Sequence, residues 1–346
     1  MECSNLHYAG EDVSSLLNFP HQGSPFCLPW IHGFTGSGIA SSHGFTDLVL
    51  FSNFNASFSN FCPIGGVMPI LYVRRFSYKE VKRATGGFNR VVYTNPRSAA
   101  YNAKFQDGRV ALVKELRALN DNLFYTEVQL LGRLHHRHLL TLRGFSTAGH
   151  KRLLVFDEIG NGSLRDLLND PLRTPLNWRM RLQIAAGVAA ALEYLFLFTH
   201  PPMCHVSISS STIMLDENFT AKISDVGFLC SPVNITGYPD AQQSDDFRDE
   251  KCGNIIYQLG VLILELITGQ SSDGTGADLI RWIQGTNFAR SMNKMIDPDL
   301  GNSFDYKDVR NLLSIARLCI KSREKPRFSV AQIFRYLQSK VDLTSY

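Results

Sequence analysis

The sequence has no C-x-x-C pair, and its first 73 residues contain no lysine or arginine. The most apolar part of these 73 residues, 61–73, is about 13 residues long and contains two prolines, so it falls short of the roughly 20 apolar residues that a membrane-spanning helix needs. The seven cysteines are scattered and odd in number, which argues against a zinc site or a disulfide framework and favours a reducing compartment. The net charge of +4 is too small to indicate a nucleic-acid-binding protein.

Charge is distributed unevenly along the chain. Residues 1–73 carry a net charge of −4, and the remainder carries +8 and begins with Arg74-Arg75. The first part is rich in glycine, serine and phenylalanine and has no helical or strand periodicity, so we predict a poorly ordered extension there. A membrane-associated segment and a small fold of its own stay open as alternatives. Residues 74–343 are predicted to form the folded domain, since 44% of the chain is hydrophobic and supplies a sizeable core.

The first half of this domain shows strand patterns interrupted by short helices. Ser77 and Glu80 have the spacing of a capping box, which predicts a helix that begins there. Asp107-Gly108 separates two strand-like runs and predicts a hairpin. Asn120 or Asp121 is placed to cap a further helix.

The second half of the domain is mostly helical. The stretch 178–198 is long and rich in alanine and leucine, and residues 255–268 are apolar on nearly all sides, which predicts a buried central helix. The acidic stretch 240–251 is predicted to be a solvated loop. The chain is therefore predicted to be an α+β protein, with a small β-rich lobe over about 76–157 and a larger helical lobe over about 163–341.

Five short strings occur in the order typical of one family. They are Phe-Ser-Tyr-Lys-Glu-Val (76–81), Leu-His-His-Arg-His-Leu (134–139), Asn-Gly-Ser-Leu (161–164), Leu-Glu-Leu-Ile-Thr-Gly (264–269) and Met-Ile-Asp-Pro-Asp-Leu (295–300). In these strings the chain resembles the plant receptor-like serine/threonine protein kinases of the RLK/Pelle type, as a degenerate, pseudokinase-like member. The resemblance covers about three quarters of the chain and implies the bilobal protein-kinase fold.

The resemblance implies roles for three charged residues. Lys114, which ends Val-Ala-Leu-Val-Lys, matches the strand lysine that contacts the α and β phosphates of ATP, and Glu127 on the following helix matches its partner. Asp225, in Asp-Val-Gly, stands at the D-F-G position and keeps one possible Mg²⁺ ligand. These three are the candidate cofactor-binding residues. The alternative is that they only stabilise the fold, the first two by tying strand to helix and Asp225 by capping local backbone.

The phosphate-binding loop of the family has lost its glycines in this sequence. Aligned without gaps, Tyr93, Asn95 and Ser98 take the three positions where the backbone must approach phosphate closely. Leu112 stands where the family has alanine, and strand alternation points it to the same side as Lys114. We expect Leu112 to intrude where an adenine ring would stack, unless a small shift of the strand moves it aside.

The catalytic loop of the family, H-R-D-x-x-x-x-N, is also altered. It begins at His205 with the family's spacing. Ser207 replaces the aspartate base, Ser209 replaces the loop lysine, and Thr212 replaces the asparagine that ligates a second Mg²⁺. A neutral hydroxyl is a poor base near pH 7, and a positioned base contributes roughly 10²–10⁴-fold to the rate. No catalytic residue is therefore assigned.

A histidine-rich cluster, His135-His136-Arg137-His138, could suggest a metal site. No second ligand cluster accompanies it, and it coincides with the family's connector between helix and strand. Structural roles are therefore predicted for it, and no metal ligand is assigned.

These residues lead to the prediction of a receptor-like kinase homologue that is a catalytically inactive pseudokinase. It would act as a signalling scaffold or allosteric partner, on the cytoplasmic side of the plasma membrane or in the cytoplasm. The expected partners are other proteins, such as an active receptor-like kinase, and no nucleic acid; membrane association is left open. No cofactor is expected. The alternatives are a weakly active ATP-dependent serine/threonine kinase with one Mg²⁺ on Asp225, and a decayed gene product with little function.

Overall fold

The structure is a computed structural model. It describes residues 48–49, 73–117, 120–157, 159–199, 205–227, 245–285, 288–301, 304–321 and 328–343. Almost all of the predicted extension over residues 1–73 lies outside these ranges, so its poor order stays a prediction.

One sheet forms the first lobe. In the described part of the chain its strand order is β1-β2-β6-β7-β5-β4-β3, antiparallel except for the pairing of β2 with β6. The strands are β1 (Leu48–Val49), β2 (Val73–Arg75), β3 (Val91–Thr94), β4 (Ser98–Lys104), β5 (Val110–Leu116), β6 (Leu142–Ala148) and β7 (Lys151–Phe156). The pairing of β4 with β5 confirms the hairpin predicted at Asp107-Gly108. Gly108 has a φ of 86°, which residues with a side chain rarely adopt.

Side chains alternate between the two faces of this sheet, and each face packs against one helix. On the outer face Val81 of α1 (Tyr78–Ala84) joins an apolar cluster that includes Val113. On the inner face Phe124 of α2 (Asp121–Leu131) joins the main core, which includes Leu112. Adjacent residues of β5 therefore support different layers of the lobe.

Both helices begin where the sequence predicts. The Ser77 hydroxyl accepts a hydrogen bond from the Glu80 N–H at 3.2 Å, and the Asn120 side-chain oxygen accepts one from the Leu123 N–H at 2.9 Å. The Glu80 carboxylate accepts a hydrogen bond from Arg74 at 3.3 Å. Each cap satisfies a backbone N–H that has no partner within its own helix.

Helices form most of the second lobe. They are α3 (Leu164–Asn169), α4 (Trp178–Leu197), α5 (Asp245–Thr268), α6 (Ser272–Gln284), α7 (Phe288–Met295), α8 (Tyr306–Lys321) and α9 (Val330–Leu343), with a 3-10 turn at Pro298–Leu300. The long helix predicted over 178–198 and the buried helix predicted over 255–268 are confirmed by α4 and α5. Among the described residues, α4 is the one helix long and apolar enough to cross a membrane. Because 61% of its apolar window is buried inside the protein, it is explained as a core helix.

Five short strands among the described residues form two small sheets in the second half of the domain. β8 (Gly162–Ser163), β10 (Ile213–Leu215) and β11 (Ala221–Ile223) form a small sheet, while β9 (His205–Val206) pairs with β12 (Val226–Gly227). Asp225 immediately precedes β12, so this pairing brings it beside the loop that follows β9.

The predicted α+β class is confirmed, with a β-rich first lobe and a mostly helical second lobe. The prediction of a loop over 240–251 is wrong from Asp245 onward, where α5 begins. Acidic residues are stabilised near a helix N-terminus by the positive end of the helix dipole, so their polarity does not distinguish a loop from a solvated helical turn. The sequence patterns do not predict α6 and α7, because α7 is only 8 residues long and the first half of α6 contains two glycines.

Candidate functional site

A buried ion pair lies where the two lobes meet. Lys114 is on β5, and its Nζ donates a hydrogen bond to Oδ1 of Asp225 at 2.5 Å. The two side chains are only 3% and 1% exposed. A buried charge is costly unless it is paired, so these two residues depend on each other for the stability of their charged states.

The electrostatic environment keeps both partners charged. Burial opposes ionisation of Asp225, but Lys114 and the nearby His205 outweigh it and hold the pKa of the carboxyl well below its usual range. Burial likewise opposes the charge of Lys114, and Asp225, Tyr93 and Glu127 together raise its pKa above the ordinary value. The site is therefore a charged pair held inside the fold.

Glu127 lies next to this pair on α2. Its side chain is buried, and its negative charge contributes to the raised pKa of Lys114. Its Oε1 is 2.9 Å from the position that a Cβ on Gly227 would occupy, so a side chain at residue 227 would collide with it. The fold thus brings the three candidate residues together, and the direct hydrogen bond of Lys114 goes to Asp225.

The turn between β3 and β4 reaches into the same site. Asn95 donates a hydrogen bond from Nδ2 to Oδ2 of Asp225 at 2.9 Å. Its side-chain oxygen accepts from the N–H groups of Arg97 and Ser98, at 2.9 and 2.7 Å. Both carboxylate oxygens of Asp225 are thus engaged, one by Lys114 and one by Asn95. The sequence placed Asn95 at a lost glycine position but did not reveal this role, because its partner is 130 residues away.

Tyr93 and Leu112 are both buried in the inner core of the first lobe. Tyr93 is buried beside Lys114 and Asp225, and burial raises the pKa of its phenol to about 12. Leu112 is fully buried in the same core cluster as Tyr93, while its neighbour Val113 belongs to the outer cluster. This confirms that Leu112 faces the inner side of the sheet, as strand alternation predicts.

The loop after β9 uses its hydroxyl groups to stabilise itself. The Thr212 hydroxyl donates to the Ser207 carbonyl at 2.9 Å and accepts from the Ser209 N–H at 2.9 Å. The Ser207 N–H donates to the Asp225 carbonyl at 2.9 Å. Thr212, which stands where the family has its second Mg²⁺ ligand, is 4% exposed, and its hydroxyl is hydrogen-bonded to the backbone of the loop.

Two side chains of helix α5 accept hydrogen bonds from the backbone of this loop. The Gln258 side-chain oxygen accepts from the Ile208 N–H at 2.7 Å, and buried Glu265 accepts from the Ser210 N–H at 3.2 Å. Neither anchor was recognised from the sequence, because both residues lie within an otherwise apolar run that predicts only a buried helix.

The histidine cluster has structural contacts, as the sequence predicts. His136 stacks on Tyr194 with ring centroids 5.0 Å apart, and Nδ1 of His138 lies 2.9 Å from the carbonyl oxygen of Ala221. Burial lowers the pKa of His136 to about 4 and also lowers that of His138. Among the described residues, no group of three or more His, Cys, Asp or Glu side chains could hold a metal ion.

The burial of His136 and His138 predicts that the protein loses stability in mild acid. Between pH 6.5 and about 4 the unfolded chain protonates His136 while the folded chain does not, so the free energy of unfolding decreases as the pH falls. We expect His136→Phe, which keeps a ring against Tyr194, to reduce this decline, with the remainder due in part to His138. Urea denaturation across this pH range measures the effect. A variant that declines as steeply as the wild type would contradict it.

Comparison with known proteins places these features in context. A profile of the protein tyrosine and serine/threonine kinase family matches residues 82–247. A probable receptor-like protein kinase of Arabidopsis thaliana is 36% identical over 292 residues, covering 78% of this chain and 44% of the relative. The receptor-like serine/threonine-protein kinase NCRK of the same plant is 30% identical over 305 residues, covering 78% of this chain and 54% of the relative. The chain thus spans about half the length of these curated relatives.

A solved structure extends the comparison to three dimensions. The pseudokinase domain of BIR2, an immune regulator of the RLK/Pelle family, is 27% identical and superposes with a TM-score of 0.67. The superposition covers 87% of this chain and 90% of that domain.

Proposed function

Because the chain belongs to the plant receptor-like protein kinase family, we propose that its kinase fold acts as a signalling scaffold or allosteric partner and does not transfer phosphate. The observation that carries this proposal is that the Asp225 carboxylate is buried and that both of its oxygens accept hydrogen bonds from protein side chains. Lys114 and Asn95 each donate a hydrogen bond to one of its oxygens. The side chains of Lys114 and Asp225 are both almost fully buried.

This arrangement does not fit ATP and Mg²⁺ as it stands. The residues that would hold them are Lys114, Glu127 and Asp225, which the family resemblance singles out. Mg²⁺ demands near-ideal octahedral geometry and usually keeps several waters, whereas the Asp225 side chain is only 1% exposed, so Asn95 or Lys114 would have to move away to make room for the ion. The Lys114 side chain is only 3% exposed, so a phosphate could reach its ammonium group only if the surrounding side chains moved.

The aromatic and aliphatic neighbours support the same conclusion. Tyr93 and Leu112 are buried on the side of the sheet that Lys114 faces. Adenine binding at this place would require Leu112 to move out of a packed core, and core packing resists such shifts. The framework of the fold is retained, including the loop that Gln258 and Glu265 hold by hydrogen bonds, and a retained fold is what a binding role requires.

One observation favours a second function. Lys114, Glu127 and Asp225 are together in the fold, and phosphoryl transfer depends mainly on positioning and electrostatic stabilisation. A weakly active ATP-dependent serine/threonine kinase that opens this site transiently is therefore the competing proposal. In both cases an active receptor-like kinase at the cytoplasmic face of the plasma membrane is the partner we propose, with the cytoplasm as the alternative location.

Nucleotide binding separates the two proposals. A ligand at 100 times its Kd stabilises the native state by about 2.7 kcal/mol, which raises the melting temperature of a domain of this size by about 5–10 °C. We expect ATP with Mg²⁺ to leave the melting temperature of the wild-type chain unchanged. The matched control is Tyr93→Gly/Asn95→Gly/Leu112→Ala, which clears the site and is expected to gain a nucleotide-dependent shift.

Two results would overturn the inactive assignment. One is a clear upward shift of the wild-type melting temperature with ATP and Mg²⁺. The other is transfer of labelled phosphate from ATP by the wild type that disappears in Lys114→Ala. Either would favour the weakly active kinase.

A further inference from the structure

The first helix of the domain presents a basic surface to solvent. Lys79, Lys82 and Arg83 are exposed on α1, and their spacing of three and four residues places them on one side of the helix. Val81 and Ala84, on the opposite side, are buried in the outer cluster of the sheet. The three basic side chains therefore point away from the domain.

Two exposed arginines extend this surface. Arg75 ends β2, directly before α1, and Arg90 precedes β3. The Arg90 Nε lies 3.7 Å from the position that a Cβ on Gly86 would occupy, just beyond the C-terminal end of α1. We call Arg75, Lys79, Lys82, Arg83 and Arg90 the basic face.

Few acidic residues occur in the segment that carries the basic face. Glu80 is the one acidic residue between Arg74 and Arg90, and it pairs with Arg74 at 3.3 Å. Within the described part of the chain, no ion pair involves Lys79, Lys82, Arg83 or Arg90. Four unneutralised cations on one small surface indicate a partner that is negatively charged over an area.

The sequence just before the basic face identifies the kind of partner. No charged residue occurs between Asp47 and Arg74, and residues 61–73 are apolar. Stable attachment to a bilayer takes two signals, such as an apolar group and a polybasic patch, and here the two are contiguous in the chain. Val91, next to Arg90, adds an apolar side chain that is 56% exposed. We propose that the basic face binds the surface of an anionic phospholipid bilayer.

This inference does not depend on whether the domain binds nucleotide. The basic face lies on the outer side of the sheet, whereas Lys114 and Asp225 lie on the inner side. Bilayer contact would hold the domain by its small lobe and leave the second lobe free for a protein partner.

Vesicle sedimentation with the full chain tests the proposal. Each lysine or arginine near an anionic membrane surface changes partition by about fivefold, and the attraction is screened by salt. We expect the wild type to bind vesicles of phosphatidylcholine mixed with phosphatidylserine, to bind pure phosphatidylcholine much less, and to be released by salt. Lys79→Glu/Lys82→Glu/Arg83→Glu is expected to weaken binding at least about 100-fold.

A charge-matched variant provides the control. Lys294→Glu/Lys307→Glu/Arg310→Glu makes the same change in net charge at exposed positions of α7 and α8, and it is expected to bind like the wild type. If the first triple variant does not fold, Lys79→Gln/Lys82→Gln is expected to weaken binding about 30-fold and replaces it.

Three outcomes would overturn the proposal. The first is equal binding of the wild type to vesicles with and without phosphatidylserine. The second is equal loss in the two triple variants, which would indicate a response to net charge alone. The third is binding to duplex DNA as tight as to the anionic vesicles, which would indicate a general polyanion surface.

Discussion

Lys114→Met is expected to lower the free energy of unfolding by about 3–5 kcal/mol. The substitution leaves the Asp225 carboxylate buried without its lysine partner, with Asn95 donating to Oδ2 and Nε2 of His205 lying 3.5 Å from the same oxygen. Removing one partner of a buried pair costs far more than the pair contributes, because the remaining charge is desolvated. Urea denaturation of the full chain measures the loss.

Two further variants identify the cause of that loss. Lys114→Met/Asp225→Asn removes both charges and keeps an acceptor for Asn95, so it is expected to recover much of the stability. Arg281→Met breaks an ion pair with Asp278 that is about three quarters exposed, and a change of at most about 1 kcal/mol is expected. If Lys114→Met were as mild as Arg281→Met, the buried pair would not stabilise the fold, and a role in nucleotide binding would become the better explanation of Lys114.

Leu112→Ala is expected to lower the free energy of unfolding by about 2–5 kcal/mol. Leu112 is fully buried in the inner core with Tyr93, so its deletion leaves a cavity that the packed neighbours fill only in part. Leu172→Ala is the matched control, because that leucine is 94% exposed and its truncation is expected to change stability by about 0.5 kcal/mol or less.

The same variant connects stability with function. We expect Leu112→Ala by itself to show no stabilisation by ATP and Mg²⁺, because Tyr93 still lies buried beside Lys114 and Asp225, and Asn95 still donates to the Asp225 carboxylate. A nucleotide-dependent shift in this single variant would mean that Leu112 alone closes the site. A cost below about 1 kcal/mol would contradict the packing of Leu112 itself.

The local structure of the first lobe could be predicted because its signals are short-range. A cap needs one side chain and a backbone N–H two or three residues away, as at Ser77 and Asn120. A hairpin needs a glycine in a conformation that other residues avoid, as at Gly108. The strings typical of receptor-like kinases then supplied the arrangement of the lobes, which the fold confirms.

Predictions that depended on polarity alone were less successful. The acidic composition of residues 245–251 predicts a loop, yet these residues form the first turns of α5. Most of the stability of a helix in a protein comes from packing of its apolar side chains in the core. In α5 the buried apolar side chains begin at Ile255, so the later turns of the helix support the acidic first turns. Nothing in the acidic turns themselves reveals that support.

The sequence by itself determined which residues stand at the positions that matter. It placed Lys114, Glu127 and Asp225 at the charged positions of a kinase, and Tyr93, Asn95, Leu112 and Ser207 at positions where the family has other residues. Only the tertiary structure decided how these residues meet. The side chain of Asn95 closes on Asp225 across 130 residues, and Lys114 donates to Asp225 beside Glu127. A hydrogen bond between distant segments depends on the packing of the whole domain, which no local pattern of residues encodes.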